Sequence, residues 1–130
     1  MMRIETEIKM SGVCEGLGLF AKEHVRAGTI IWSFVEGFDV KVHVSKLSEL
    51  LPVQKKHVEK YFWREGNYLY TSCDNSVFQN HSSKPNSGAL GFNMAALRDI
   101  LPGEEILVDY SHFDDDFAEY ASSMITLEAK

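Results

Sequence analysis

The most informative part of the sequence runs from residue 78 to residue 110 and reads FQNHSSKPNSGALGFNMAALRDILPGEEILVDY. It contains two polar motifs, NHSSKPN at residues 80–86 and RDILPGEEILVDY at residues 98–110, and an apolar run separates them. A hydrophobic core alone does not require polar residues of these types in this order. The two motifs therefore indicate a functional site as well as a fold.

Length and composition predict one globular domain over residues 1–130. The chain is 45% hydrophobic and 25% charged, which is typical of a folded domain rather than a disordered or fibrous chain. A domain of this length hides roughly two-thirds of the surface of its unfolded chain, so it can fold without cross-links. The formal net charge of -6 argues against a nucleic-acid-binding surface and favours a basic partner.

Cysteine content and hydropathy indicate a soluble intracellular protein without a metal site. Cys14 and Cys73 are too few for a four-thiolate zinc cluster or a disulfide framework, although one bridge or two free thiols are possible. The amino terminus lacks the apolar core of a signal peptide, and no stretch reaches membrane-spanning length. We expect a cytoplasmic protein, or a nuclear one if the source is eukaryotic or viral.

The pattern of apolar residues predicts a mainly β fold with one helical insert. Residues 45–62 have helix-like spacing, with Ser45 as a cap and Pro52 forcing a break or a restart. The tail at residues 111–130 is acidic and then weakly helical. Strands are predicted at residues 4–9, 19–21, 29–35, 38–44, 90–97 and 105–109, with a hairpin over residues 63–71 that turns around Gly66.

A Gly-x-Gly motif, Gly16-Leu17-Gly18, lies just before a predicted strand. Glycine at both positions lets the backbone approach a ligand closely, because no Cβ intervenes. Taken alone, such a motif is more often a bulge or a tight turn. The six-residue glycine pattern of a dinucleotide site is missing, so that kind of site is excluded.

Three further polar residues have a structural and a functional interpretation. Asn80 and His81 adjoin a predicted turn, where they can cap the backbone or bind a ligand. Tyr110 ends an apolar strand, where a tyrosine usually packs with its hydroxyl in water.

Glu104 and Glu105 are adjacent on a predicted strand, so their side chains point to opposite faces. This arrangement argues against the paired carboxylates of a glycosidase.

Taken together, GLGLFA at residues 16–21 and the two motifs at residues 80–86 and 98–110 resemble the signature segments of SET-domain protein-lysine methyltransferases. The resemblance spans residues 10–112. It implies a β-clip fold of small sheets, with a short helical insert and a carboxyl-terminal pseudoknot. It also implies transfer of the methyl group of S-adenosylmethionine to a lysine side chain of a protein, with histone tails among the candidate substrates.

The resemblance assigns roles to individual residues. The backbone of Gly16, Leu17 and Gly18 lies against S-adenosylmethionine, and Asn80 and His81 hold its methionine and adenine portions. The methyl-transfer point is assigned to Tyr110. Candidates for the wall of the lysine channel, with ordinary core as the alternative, are Tyr68, Tyr70, Phe92 and Phe113. Candidates for covering the adenine ring are Phe117 and Tyr120.

The sequence departs from the family pattern in two motif positions and in its tail. Val77 stands where the family often has arginine, and Ser83 where it often has cysteine. No cysteine-rich segment follows Tyr110, so the zinc cluster of many members cannot form. The short tail or a second subunit then has to close the site, which makes a homodimer a reasonable expectation.

Two other classes of function remain open. A binding module can keep the β-clip fold, and even S-adenosylmethionine, without turnover, and Val77 favours this alternative. A thiol hydrolase can be built from Cys14 or Cys73 with His81, because a cysteine and a histidine make a nucleophile pair. Neither cysteine lies in a recognisable nucleophile elbow, and the hydrolase leaves the other motif residues unexplained.

Overall fold

The structure is a computed structural model that describes residues 1–120. Its regular elements are short, and three 3-10 turns (Val44–Glu49, Asn75–Phe78 and Tyr110–His112) connect them. Two α-helices are α1 (Pro52–Tyr61) and α2 (Phe117–Tyr120). The strands are β1 (Thr6–Met10), β2 (Leu17–Ala21), β3 (Ile30–Ser33), β4 (Val40–His43), β5 (Trp63–Glu65), β6 (Tyr68–Thr71), β7 (Asn80–His81), β8 (Ser87–Leu90), β9 (Asn93–Ala96) and β10 (Leu107–Val108).

The strands form four small sheets rather than one large sheet. Antiparallel pairing joins β1 to β2, orders β3, β9 and β8 in a second sheet, and orders β4, β6 and β5 in a third. The fourth sheet pairs β7 with β10 in parallel. The mainly β class with small sheets and few helices is therefore confirmed.

The core lies where β2 passes between β1 and residues 103–106. Leu19 and Ala21 of β2 exchange backbone hydrogen bonds with that segment, so this strand is covered on both edges. Burial of apolar side chains is the dominant stabilising contribution, roughly 1.5–3 kcal/mol for each large one. The buried cluster consists of Leu19, Ala21, Val25, Ile31, Ala96, Ile100 and Ile106.

Parallel pairing of β7 with β10 brings the two polar motifs together. Leu107 lies opposite Asn80, and Val108 lies opposite His81. Asn86 reinforces this pairing: its side chain accepts a hydrogen bond from the amide of Leu107 and donates one to the carbonyl of Glu105, both at 2.8 Å. Two segments that are distant in sequence therefore share one backbone framework.

The insert at residues 45–62 consists of a 3-10 turn followed by α1. The predicted restart at Pro52 is confirmed, since this residue begins α1, where its missing N–H costs nothing. The predicted cap at Ser45 is wrong. His43 caps the 3-10 turn instead, because its Nδ1 accepts a hydrogen bond from the amide of Ser45 at 3.1 Å.

The hairpin predicted over residues 63–71 is confirmed as β5 and β6, with Gly66 at φ 62° in the turn. The strand predicted at residues 90–97 is present but shorter than predicted, since β9 covers Asn93–Ala96. The chain turns at Gly91, which has a φ of 61°, so β8 and β9 form a hairpin there. The strand predicted at residues 105–109 is shorter than expected, since β10 covers Leu107–Val108 alone.

Candidate functional site

The candidate site is assembled around the side chain of Asn80. Its amide nitrogen donates hydrogen bonds to the backbone oxygen of Leu17 at 2.9 Å and to Oε2 of Glu105 at 3.1 Å. Each of these residues comes from a different one of the three sequence segments. The structure therefore brings together Leu17 and Asn80, as the sequence interpretation requires, and adds Glu105, which that interpretation did not assign to the site.

The two glycines of the first segment have different surroundings. A Cβ added at Gly18 would lie 2.3 Å from Oε2 of Glu105, so any larger residue there would have to displace the Glu105 carboxylate from its present position. Gly16 has a φ of 119°, a conformation that glycine adopts at little cost. A Cβ at Gly16 would meet no atom within 4 Å, so the backbone there faces open space.

His81 is held against Tyr110 by the backbone as well as by ring packing. The amide of Tyr110 donates a hydrogen bond to Nδ1 of His81 at 3.0 Å, and the two ring centroids are 5.3 Å apart. Because Nδ1 is an acceptor, the proton of a neutral His81 ring is on Nε2. The motif histidine and the motif tyrosine are therefore direct neighbours.

Asp109 lies next to this pair and shapes the turn that begins at Tyr110. Burial alone would raise the pKa of Asp109. Hydrogen bonds from the side chain and the amide of Ser111, together with the nearby His112 and His81, outweigh burial and hold that pKa below its ordinary value. Asp109 is therefore ionised near neutral pH, and its side chain caps the 3-10 turn.

The phenol of Tyr110 is protonated and directed inward. Its hydroxyl donates a hydrogen bond to the backbone oxygen of Gln79 at 2.5 Å. Burial, with smaller contributions from nearby Cys14 and Asp114, raises the pKa of Tyr110 above its ordinary value. This residue can therefore act as a neutral hydroxyl, but not as a phenolate base near neutral pH.

A groove of about 1000 Å³ opens in front of Tyr110. It extends to the carboxyl end of α1 on one side and to the turn between β8 and β9 on the other. Its lining is rich in aromatic rings, as expected of a site that buries an aliphatic chain. The aromatic residues in the lining are Trp32, Phe34, Tyr61, Phe62, Trp63, Tyr70, Phe92, Tyr110, Phe113 and Tyr120.

A continuous set of ring contacts connects Tyr110 to the groove wall. Phe113 packs edge-on against Tyr110 at 5.9 Å and against Trp63 at 5.8 Å. Trp63 in turn stacks on Tyr70, with centroids 5.8 Å apart and ring planes at 18°. Such pairs stabilise the arrangement beyond the area that they bury. The wall is therefore a fixed aromatic surface.

Three of the four predicted channel residues line the groove. Tyr70 and Phe113 belong to its aromatic wall, whereas Phe92 lies in the turn after β8 with 91% of its surface exposed. Tyr68 is not among the described residues that line the groove. It is the first residue of β6, where the Lys41 amine lies over its ring, 4.4 Å from the centroid.

The sequence interpretation missed Trp63, which contacts more of the aromatic wall than any predicted residue. A signal for it was available in the predicted hairpin. In a hairpin that turns around Gly66, the register puts Trp63 opposite Tyr70, and these two residues are cross-strand partners in the structure. Pairing the hairpin before choosing aromatic residues would have identified Trp63.

The tail after Tyr110 folds back over His81. Phe117 of α2 packs on the His81 ring with centroids 4.8 Å apart, and Tyr120 packs on Phe117 at 5.6 Å. The Tyr120 hydroxyl donates a hydrogen bond to Asp114. Of the two residues named as candidates for covering an adenine ring, Phe117 contacts His81 directly and Tyr120 contacts Phe117. Residues 121–130 of the predicted tail lie outside the described part.

The groove carries more acidic than basic side chains. Its lining includes five carboxylates against two lysines. Glu65 lies near Asp114 and Asp115. Burial, and to a smaller extent the charges of these two neighbours, raise the pKa of Glu65 above its ordinary value. A cationic ligand at this side of the groove would relieve that repulsion.

The thiols do not form a nucleophile pair with His81. Cys14 and Cys73 are free, and no hydrogen bond joins either of them to His81 within residues 1–120. In the same part of the chain, no group of three or more His, Cys, Asp or Glu residues is arranged to hold a metal ion. None of the described helices is long and apolar enough to cross a membrane.

Comparison with known proteins identifies the family. The SET domain family model matches residues 16–111, a range that includes Gly16, Asn80 and Tyr110. The chain therefore belongs to the SET domain family. A variant-silencing SET domain-containing protein of Plasmodium falciparum (isolate 3D7) is 30% identical over 112 residues. That alignment covers 75% of this chain and 4% of the relative, so the chain spans a small part of the relative's length.

Solved structures agree with this fold. A Plasmodium falciparum protein described as a candidate histone methyltransferase has a TM-score of 0.60 at 23% identity, covering 85% of this chain and 96% of that one. A humanized mutant of the Chaetomium thermophilum Polycomb Repressive Complex 2, bound to the inhibitor GSK126, has a TM-score of 0.62 at 18% identity, covering 88% and 16%. The structural likeness establishes the fold, and family membership supports a methyltransferase-like function in general.

Proposed function

We propose that this protein transfers the methyl group of S-adenosylmethionine to the side-chain amine of a lysine in a protein substrate, with histone tails among the candidates. One observation carries the proposal. Tyr110 belongs to two surfaces at once. It contacts His81, which with Asn80 and the backbone of residues 16–18 forms the glycine–Asn–His cluster, and it also lines the aromatic groove. A transferase of this kind needs one residue where the donor site and the acceptor site meet.

The glycine–Asn–His cluster fits S-adenosylmethionine. The open backbone at Gly16 offers a place where a ligand can approach closely, and the rings of His81 and Phe117 offer an aromatic surface for a purine. We assign the binding of this co-substrate to Gly16, Leu17, Gly18, Asn80 and His81. When bound, it supplies a methyl group activated by a positively charged sulfur.

Tyr110 contributes a neutral hydroxyl at the meeting point. Its proton is directed to the backbone oxygen of Gln79, which leaves the oxygen lone pairs free to face a polarised methyl group or an amine. Oxygen atoms fixed in advance around developing positive charge stabilise a transition state without reorganisation. The raised pKa of Tyr110 keeps this group from ionising under physiological conditions.

The aromatic wall prepares the lysine. Rings of Trp63, Tyr70 and Phe113 can cover the aliphatic part of a lysine side chain and exclude water from its amine. Desolvation lowers the pKa of a lysine and so favours the neutral amine, whose lone pair must attack. The amine nitrogen forms the new N–C bond as the C–S bond breaks, the electron pair of that bond remains on sulfur, and the surplus proton leaves to water.

The test is incorporation of tritium from labelled S-adenosylmethionine into a mixture of basic peptides and proteins. Relative to wild type, Tyr110→Phe is expected to lower the rate on the order of 100-fold, because it removes the hydroxyl that this proposal assigns to the methyl-transfer point. His81→Ala is expected to weaken co-substrate binding. His24→Ala is the matched control: His24 is an exposed histidine that pairs with Asp99 away from the groove, and its loss should leave the rate unchanged. Equal labelling by all four proteins would refute the assigned roles.

A binding module that has lost turnover is the second candidate, and Val77 is the observation that favours it. It predicts that S-adenosylmethionine raises the thermal midpoint of unfolding while no substrate becomes labelled. Labelling of any lysine at a rate that depends on Tyr110 would rule it out.

A further inference from the structure

Glu105 makes a set of contacts that neither its motif nor the family assignment explains. Its carboxylate accepts hydrogen bonds from the hydroxyl of Ser11 at 2.8 Å, from the amide of Gly12 at 2.8 Å and from the side chain of Asn80 at 3.1 Å. Ser11 and Gly12 begin the turn that leads to the Gly16–Gly18 backbone. One carboxylate therefore joins this turn to Asn80.

Gly18 packs closely against the Glu105 carboxylate. The missing Cβ of Gly18 leaves the space that the Glu105 carboxyl group occupies, because an added Cβ would lie 2.3 Å from Oε2 and 2.9 Å from Cδ. The donors to Glu105 are neutral, and none of the salt bridges within residues 1–120 involves it. Hydrogen bonds from neutral donors, rather than an ion pair, hold this side chain in place.

We infer that Glu105 is the positioning residue of the co-substrate site: it fixes the orientation of the Asn80 amide and the path of the turn at residues 11–12 before any ligand binds. This inference rests on the proposed function. Both amide protons of Asn80 are used, one on Leu17 and one on Glu105, so the side chain has a single orientation. A site that is ordered in advance binds its ligand without an ordering cost.

Glu104 offers a matched control for this role. It is the preceding residue, is also a glutamate and also accepts hydrogen bonds, from Arg98 and from the amide of Leu101. Its carboxylate also interacts with the side chain of Asn86, and it makes none of the hydrogen bonds that Glu105 makes to Ser11, Gly12 and Asn80. Replacement of either glutamate by glutamine removes one negative charge from the same segment, but only one of the two changes touches the site.

The experiment compares Glu105→Gln with Glu104→Gln in the full chain. Affinity for S-adenosylmethionine is measured by titration calorimetry, and amide hydrogen exchange at residues 11–18 is measured without ligand. Hydrogen bonds to a charged group contribute enough that Glu105→Gln should weaken binding at least about tenfold and speed exchange at Gly12. Glu104→Gln should match wild type in both measurements. Ser11→Ala, which removes one donor and keeps Glu105, should give an intermediate loss of affinity.

The outcomes separate the two proposals. If wild type binds S-adenosylmethionine and Glu105→Gln binds it equally well, the inference is wrong while the proposed function stands. If wild type does not bind S-adenosylmethionine, the proposed function and this inference fail together. All affinities are taken at a temperature where circular dichroism shows every variant folded, so that unfolding does not imitate a loss of binding.

Discussion

At the level of single residues, buried polar side chains decide how the candidate site is built. Asn86 is the clearest case, since only 2% of its surface is exposed and its amide bridges Glu105 and Leu107. Both hydrogen bonds are partly buried, so the two backbone groups have reduced access to water. Such groups are costly to leave without a partner, which is why one asparagine can hold β10 beside β7.

Asn86→Ala should therefore lower the free energy of unfolding by about 2–4 kcal/mol, since two partly buried backbone groups each lose a hydrogen bond. Chemical denaturation with urea measures this change. Asn93→Ala is the control, because Asn93 is exposed on β9 and should cost less than about 0.5 kcal/mol. A similar loss in both variants would contradict the bridging role of Asn86.

At the level of secondary-structure elements, α1 and β2 differ most in their surroundings. In α1, Val58 and Tyr61 are partly covered and the other residues are exposed, with 72% of the surface of Val53 accessible. In β2, by contrast, the last four of the five residues are buried. Helices gain most of their stability from a packed face, so α1 is held weakly although it forms one side of the groove.

Amide hydrogen exchange should therefore be much faster in α1 than in β2. Elements with few buried contacts open locally at a lower free energy than the core does. Mass spectrometry of peptides covering residues 52–61 and 17–21 compares the two elements in one experiment. Exchange of both elements at the rate of global unfolding would show that α1 is part of the core, contrary to this expectation.

For the molecule as a whole, ionised carboxylates determine how stability depends on pH. Burial alone would raise the pKa of Asp74, but hydrogen bonds from Ser76 and Met2 hold it below its ordinary value. A carboxyl group with a lowered pKa stabilises the folded state above its unfolded-state pKa, and this contribution is lost as the pH falls through its folded-state pKa. The carboxyl groups with lowered pKa are Asp39, Asp74, Asp99, Glu104 and Asp109.

The thermal midpoint should accordingly be nearly constant around neutral pH and should fall below about pH 4, where these groups begin to take up protons. Differential scanning calorimetry from neutral to acid pH measures the curve. Asp74→Asn should flatten the acid limb, because it removes one of the titrating groups. A midpoint that rises as the pH falls would mean that groups with raised pKa, such as Glu65, dominate instead.

Much of the fold and of the site was predictable from local pattern. The hairpin at residues 63–71, the break at Pro52 and the mainly β class follow from turn chemistry and from the spacing of apolar residues, which act over a few positions. The turn at Gly91 was missed because residues 90–97 are mostly apolar and their composition does not reveal where a strand ends. The cap at His43 was missed because histidine is not a usual capping residue.

The sequence by itself determined which chemistry-bearing residues this protein has, and its motifs were sufficient to identify the SET domain family. Only the tertiary structure decided which of them meet. Contacts such as Asn80 with Leu17, Glu105 with Gly12, and Phe117 with His81 join residues far apart along the chain. Such contacts depend on how separate strands pair and on which side chains the core leaves uncovered, and neither is encoded in the spacing of neighbouring residues.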